Sequence, residues 1–288
     1  MFDDINKLLI SFSGGRTSGY MTHRILREVP SHVDARVVFA NTGQEDERTL
    51  QFIHDCEQIF GWDITWVESV VHHGQRKGTT HKIVDYETAS RRGEPFEEVI
   101  RKYGLPNQSM PHCTRELKLQ PINSLCRSWG WKKKDYHSAV GIRADEMDRM
   151  SSYAEREKLI YPLVKWGVKK PDVLEWWRKQ NFDLYVPEHR GNCLWCWKKS
   201  FKKLVQVHRE DSSIFDFPLR MEEEYGYTGS LAKKAGRQVM FRGNRSVKDV
   251  LEMSYMGHEG FEDPNFVEEC AESCEVFSDT SLQEVDYE

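Results

Sequence analysis

Leu8-Leu9-Ile10-Ser11-Phe12-Ser13-Gly14-Gly15-Arg16-Thr17-Ser18 is the stretch on which the reading of this sequence turns. Leu8 to Phe12 is a short apolar run of the kind that forms a buried strand, and the residues from Thr17 to Glu28 carry a helical pattern. The turn between them, Ser13 to Arg16, holds two glycines, with Thr17 and Ser18 just beyond it. Glycines free the backbone to wrap an anion, Ser13 and Ser18 can donate to its oxygens, and the following helix presents the positive end of its dipole. A serine-capped turn would explain a lone Ser-Gly-Gly. Set between strand and helix, the motif predicts a phosphate site formed by Ser11, Ser13, Gly14, Gly15, Arg16, Thr17 and Ser18. The four-residue spacer and final Gly-Lys-Ser/Thr of a Walker A loop are absent.

Working outward, the same alternation continues. Ala35 to Ala40 reads as a second strand, Asp46 to Phe60 as its helix, and Ile64 to Val67 as a third strand. Such alternation predicts parallel βα units, hence an α/β, Rossmann-like parallel sheet with the ligand over its strand ends. Residues 70–112 are polar and rich in Gly, His and Arg, with one short helix from Pro95 to Tyr103, and read as an inserted lid or substrate loop. Tyr136 to Ile142 and Leu159 to Leu163 resume the strand pattern. Beyond Pro171 the pattern turns helical, from Asp172 to Gln180 and from Cys193 to Arg209. We expect an α/β nucleotide-binding domain over 1–170, a basic helical extension over 171–248 and an acidic tail over 249–288. No Pro-rich or Ser-rich linker separates them.

The chain has 288 residues, 39% of them hydrophobic and 30% charged, the balance of a globular protein rather than a disordered one. With no apolar run of eighteen residues and no signal-peptide pattern, a cytoplasmic location with no membrane association is expected. The net charge of −5 hides an asymmetry: residues 249–288 hold thirteen Asp or Glu and no Lys or Arg, leaving +8 on the rest. A basic body suits nucleotides, nucleic acid or other anions.

Seven cysteines are too few for a disulfide scaffold. Cys193-Leu194-Trp195-Cys196 is a CxxC pair, followed by four lysines, that can grip one metal or cluster. A helix N-terminus and the lysines would lower the thiol pKa values. Cys113 lies 79 residues upstream and His112 beside it, so zinc in a Cys₃His site is one reading. Cys56 and Cys126 fall in helical patterns as buried hydrophobes, and Cys270 and Cys274 lie in the acidic tail.

The motif Ser11 to Ser18 resembles the PP-loop, SGGxxS, of the adenine nucleotide alpha hydrolase-like superfamily, and more closely that of the phosphoadenosine phosphosulfate (PAPS) reductase family. Asn41-Thr42-Gly43 is similar to that family's strand-end Asn/Asp-Thr-Gly, Gly141 to Glu146 to its G-x-R-x-x-E/Q segment, and Cys113 with Lys118 and Pro121 to its Cys, Lys and Pro run. These landmarks span residues 8 to about 200 in the family's order. The resemblance implies an adenine nucleotide partner, with Asn41, Thr42 and Gly43 beside the adenosine, Gly141 and Arg143 among the nucleotide-binding residues, and Arg143, Lys118 and Cys113 as the catalytic set. Arg16-Thr17 replaces the Lys-Asp of many ATP-splitting members. Mg²⁺ would then need Glu45 or Asp46.

The cysteine spacing is also similar to that which binds a [4Fe–4S] cluster in adenosine phosphosulfate (APS) reductases, with His112 where the family has another Cys. His112, a tail cysteine or an open iron remain as the fourth ligand, beside zinc as the lesser alternative. Two activities are implied. One is ATP-dependent sulfur transfer to a nucleic acid or nucleotide-type acceptor through an adenylated intermediate, with a separate sulfur donor. The other is reduction of APS or PAPS to sulfite with a thiol reductant, using Cys270 or Cys274, although the family's Glu-Cys-Gly-Ile/Leu-His peptide is missing. A non-catalytic nucleotide-binding or nucleic-acid-binding partner protein is a third reading, and a homo-oligomer fits any of them. Nine tryptophans, several beside Lys or Arg, suggest base stacking if exposed, with one of Trp176 and Trp177 facing outward. His72, His73 and His81 are further ligand candidates in the inserted loop.

Overall fold

The computed structural model describes residues 1–74 and 77–256. Its sheet has six strands: β1 Lys7–Ser11, β2 Asp34–Ala40, β3 Ile64–Val71, β4 Thr79–Val84, β5 His137–Ala139 and β6 Leu159–Ile160. Their order is β4-β3-β2-β1-β5-β6. All neighbours are parallel except β3 and β4. The fold is therefore an α/β, Rossmann-like arrangement with one antiparallel edge. Helices α1 Arg16–Glu28 and α2 Glu47–Phe60 follow β1 and β2, α3 Glu94–Tyr103 follows β4, and α4 Gln120–Ser128 precedes β5. The short α5 Pro162–Lys165 follows β6, and then come α6 Lys170–Arg178, α7 Phe201–Glu210, α8 Asp216–Tyr225, α9 Gly229–Ala235 and α10 Val247–Tyr255.

Alternation along the parallel strands sends side chains into two cores. Leu8, Ile10, Val37 and Phe39 meet Met21 and Ile25 of α1, Phe52 and Ile53 of α2, and Trp177 of α6. Leu9, Val38 and Val67 meet Ile122 and Leu125 of α4 on the other face. Coverage on both faces is why these strands read as continuous apolar runs. A separate core joins α3 to the C-terminal helices through Phe96, Val99, Phe201, Leu204, Met221 and Val250.

Three expectations need correction. Residues 70–112 are not simply a loop: β3 runs on to Val71 and turns back as β4, paired from Trp66↔Val84 to Val71↔Thr79, and α3 packs into the C-terminal core. The fifth strand stops at Ala139, and the sixth gives way to α5 at Pro162, whose fixed φ suits a helix start. Residues 193–199 form turns, and the helix expected from Cys193 starts only at Phe201, where the Ser200 hydroxyl caps the Lys203 N–H at 3.3 Å.

Candidate functional site

The Ser-Gly-Gly turn leads directly from β1 into α1. The Ser18 hydroxyl donates to the Gly15 carbonyl at 3.1 Å and accepts the Ser13 N–H at 3.2 Å, while the two hydroxyls meet at 2.9 Å. Because Ser18 has a single proton and gives it to Gly15, Ser13 is the donor in that pair. Gly14 sits at φ +79°, and a Cβ there would come within 2.8 Å of Thr49 and 2.9 Å of Ile53, so only glycine fits between the loop and α2. Ser11 and Ser13 line a narrow recess over β1 and β2 with Phe12, Val38, Ala40 and Lys118.

Two cations reach this loop. Lys118, 9% exposed, joins the recess from a π-helical turn, Arg115–Leu119, between Cys113 and α4. A π-turn widens one helical turn and commonly re-aims side chains at functional sites. Arg143, which follows β5 and Gly141, is 6% exposed and donates from Nη1 to the Thr17 hydroxyl at 3.0 Å and from Nε to Asp145 at 3.1 Å. Arg16 points elsewhere: its guanidinium pairs with Asp183 at 2.7 and 3.1 Å and with the Leu184 carbonyl. Nothing near Arg16 in the chain announces this partner, 167 residues away.

The strand-end loop after β2 is held from below and above. Asn41 is fully buried and donates to Glu68 at 2.7 Å and to the Ser90 carbonyl at 2.9 Å. Glu68, also fully buried, accepts from the Ser90 N–H at 2.6 Å and hydroxyl at 2.8 Å and pairs with Lys82 at 2.8 Å. Asn41 Oδ1 accepts the Gly43 N–H at 3.2 Å, fixing the loop where Gly43 takes φ +77°. Glu45 accepts the Thr42 hydroxyl at 2.8 Å and the Thr42 and Gln44 N–H groups at 3.1 and 3.2 Å. Asp46 caps α2 and pairs with Arg48 and Arg190, both at 2.8 Å. Burial pushes the Asp46 carboxyl up, but the two arginines outweigh it and hold it at about 2. Both carboxylates considered for Mg²⁺ are thus engaged by the chain's own donors.

From above comes the CxxC turn. The Gln44 carbonyl accepts the Leu194 N–H at 2.9 Å and the Gln44 side-chain oxygen accepts the indole N–H of Trp195. Cys193 Sγ lies 3.4 Å from Thr42 Oγ1. Burial and Glu45 push the Cys193 thiol well above its ordinary range, with Lys118 only partly offsetting them. The depressed thiol pKa expected from a helix N-terminus is therefore corrected for Cys193, since no helix begins there. Lys199, 1% exposed, donates to the Leu194 carbonyl at 2.9 Å and stiffens the turn.

The expected metal ligands meet only in part. Cys113 and Cys193 both pack against the C-terminal core. His112 is buried against Tyr103, neither ring nitrogen has a hydrogen-bond partner, and burial pushes its imidazole down to about 4. Among the described residues no three His, Cys, Asp or Glu side chains gather as a metal site requires. Cys270 and Cys274 lie outside the described residues.

No model of a known protein family matches the sequence. The chain is 30% identical over 283 residues to an uncharacterized nin region protein, ORF290, of Escherichia phage lambda, an alignment covering 93% of this chain and 94% of that one. This chain belongs to the ORF290 family. It is also 28% identical over 146 residues to an uncharacterized protein of Methanocaldococcus jannaschii, covering 50% of this chain and 25% of that longer protein.

Elsewhere in this ORF290 family member, the tryptophans do not form the expected stacking surface. Trp177 and Trp195 are buried and Trp176 is half-buried against Tyr20. Arg24 covers Trp166 at 4.1 Å and Arg36 covers Trp129 at 4.5 Å, so these cations and rings recognise each other. His72, His73 and His81 bond to Thr80, Glu98 and Ser124 at 2.7, 2.8 and 2.8 Å. Cys56 and Cys126 are buried hydrophobes, as expected. Among the described residues no helix is long and apolar enough to cross a membrane.

Glu68 and Gln44 were missed by sequence reasoning, and Lys199 was read only as one of four lysines after the CxxC pair. Glu68 had a signal: it is the one charge inside the otherwise uncharged strand segment Ile64-Thr65-Trp66-Val67-Glu68-Ser69-Val70-Val71, and a buried charge needs partners.

Proposed function

We propose that this protein binds an adenine nucleotide over the ends of β1 and β2 and uses it to activate an acceptor for sulfur transfer. The observation that carries this reading is the meeting of three remote segments on two neighbouring strand-end loops: Lys118 and Arg143 reach the Ser-Gly-Gly turn, and the CxxC turn docks on the loop after β2. The N–H groups at the α1 N-terminus supply donors for phosphate oxygens on a turn braced by Ser13 and Ser18, and Lys118 and Arg143 supply positive charge where negative charge develops on phosphoryl or adenylyl transfer. The likeness to the PAPS reductase family supports ATP as the nucleotide. The thiols beside it support sulfur as the cargo.

The test incubates anaerobically purified protein separately with ATP, APS and PAPS plus a thiol reductant, and scores pyrophosphate and sulfite. Pyrophosphate from ATP, stimulated by a nucleic acid or nucleotide acceptor, is the expected result. Sulfite from either sulfonucleotide would replace this reading with that of a reductase.

A further inference from the structure

Residues 191–209 and 225–248 carry eleven Lys or Arg and no Asp or Glu. The fold gathers part of that charge around one turn. Phe241 and Arg245 exchange backbone hydrogen bonds at 3.1 and 3.3 Å, closing a tight loop in which Gly243 and Asn244 both take left-handed φ, +66° and +55°. Its two legs are pinned by Glu222 of α8, 2% exposed, which accepts the Met240 N–H at 2.7 Å and the Val247 N–H at 2.9 Å. Arg242 donates from the loop to the Lys198 carbonyl and, at 3.3 Å, to the Lys199 carbonyl. Those residues close the CxxC turn, where the Lys199 N–H bonds the Cys196 carbonyl at 2.9 Å. The Arg245 guanidinium lies 5.5 Å from the Phe201 ring centre and the Lys198 ammonium 5.4 Å from that of Trp197, and Lys202, next to Phe201 in the chain, is exposed. Lys198, Lys202, Arg242 and Arg245 thus share one pinned ledge beside the candidate site. Trp197, Phe201 and Phe241 are each at most 7% exposed, so these rings give the ledge neither a stacking platform nor an apolar wedge.

We infer that this ledge, Lys198 and Lys202 with the Arg242–Arg245 turn, binds the phosphodiester backbone of a nucleic acid. A row of phosphates meets several fixed cations at once and needs no base contact, so binding is independent of sequence. A lipid surface would also call for apolar side chains to insert, and the rings here are buried. The role of that nucleic acid, as the acceptor delivered to the CxxC side of the site, rests on the sulfur-transfer reading above; its binding does not.

The experiment titrates the full-length protein into labelled single-stranded DNA, RNA of the same sequence and the DNA duplex, and follows fluorescence anisotropy between about 50 and 200 mM salt. Binding that tolerates a change of sequence is expected, and the tightest of the three identifies the backbone. With four phosphates engaged, log affinity should fall with log salt at a slope of about −3 on a single strand and roughly −4 on the duplex. The Lys202→Gln/Arg245→Gln variant should lose about half of that slope, Lys202→Gln alone about a quarter, and the charge-keeping Lys202→Arg/Arg245→Lys none. Lys132→Gln/Lys134→Gln, in the turn before β5 at the other end of the sheet, should keep the slope as well. Thermal melts confirm that each variant folds. No binding to any of the three, an equal loss from the two Gln double variants, or tighter binding to phosphatidylserine vesicles than to nucleic acid overturns the inference. ATP binding and pyrophosphate release are read on the same preparations. Nucleic acid bound by a protein that neither binds nor cleaves ATP ends the proposed function alone, and ATP cleavage by a protein that binds no nucleic acid ends this inference alone.

Discussion

Lys118 and Arg143 stand 25 positions apart in the sequence, on either side of β5, and serve one loop. If they face nucleotide phosphates, Lys118→Ala and Arg143→Ala should each weaken ATP binding by about 10- to 100-fold, the size of one charged hydrogen bond, in isothermal titration calorimetry. Arg16→Ala should cost less affinity, because its guanidinium is held by Asp183. Asp46 makes a prediction about acid. Its carboxyl is held at about 2 in the fold against an ordinary 3.8, so its stabilisation is complete above that ordinary value and is lost as pH falls through the folded value. A shift of this size corresponds to roughly 2 kcal/mol, and Asp46→Asn should flatten the stability curve between about pH 4 and 2, read by urea unfolding. At this scale the sequence was legible where chemistry is local, as in Ser13, Gly14 and Ser18. It was silent where a side chain's partner is remote, as with Arg16 and Asp183, because nothing in either neighbourhood announces the other.

Elements were legible where their burial is uniform. The runs of β1 and β2 and the helices behind them appear within a residue or two of their expected bounds. Strand β4 was not seen because Thr-Thr-His-Lys-Ile-Val mixes polar residues with an Ile83 that is 64% exposed, as an edge strand allows. The CxxC segment was taken for a helix because the helical pattern beyond Ser200 was extended backward through it. What the strand-end loop needs instead is Glu68, which joins β3 to Asn41, Ser90 and Lys82. Glu68→Ala would leave the buried Asn41 amide and the Ser90 N–H without this acceptor, while the half-exposed Lys82 turns to water. A loss of about 1–3 kcal/mol is expected in chemical denaturation, with Glu68→Gln milder because the amide keeps one acceptor.

For the whole molecule, the expected basic helical extension is no appendage. Its helices share a core with α3, whose Phe96, Val99 and Ile100 are at most 2% exposed. A chain ending at residue 192 would bare that face, so it should precipitate or bind hydrophobic dyes rather than fold as a free α/β domain, as solubility and near-UV circular dichroism would report. Composition could not foretell this, since net charge does not say which apolar faces meet. The docking of Leu194 and Trp195 on Gln44 has a thermodynamic consequence. The peptide that carries Thr42 is anchored to both the sheet and the cysteine turn, so a ligand that shifts it necessarily alters the energy of the thiol. By reciprocity a change in the chemical state of that thiol changes the ligand's affinity by the same factor, with no moving domain between the two.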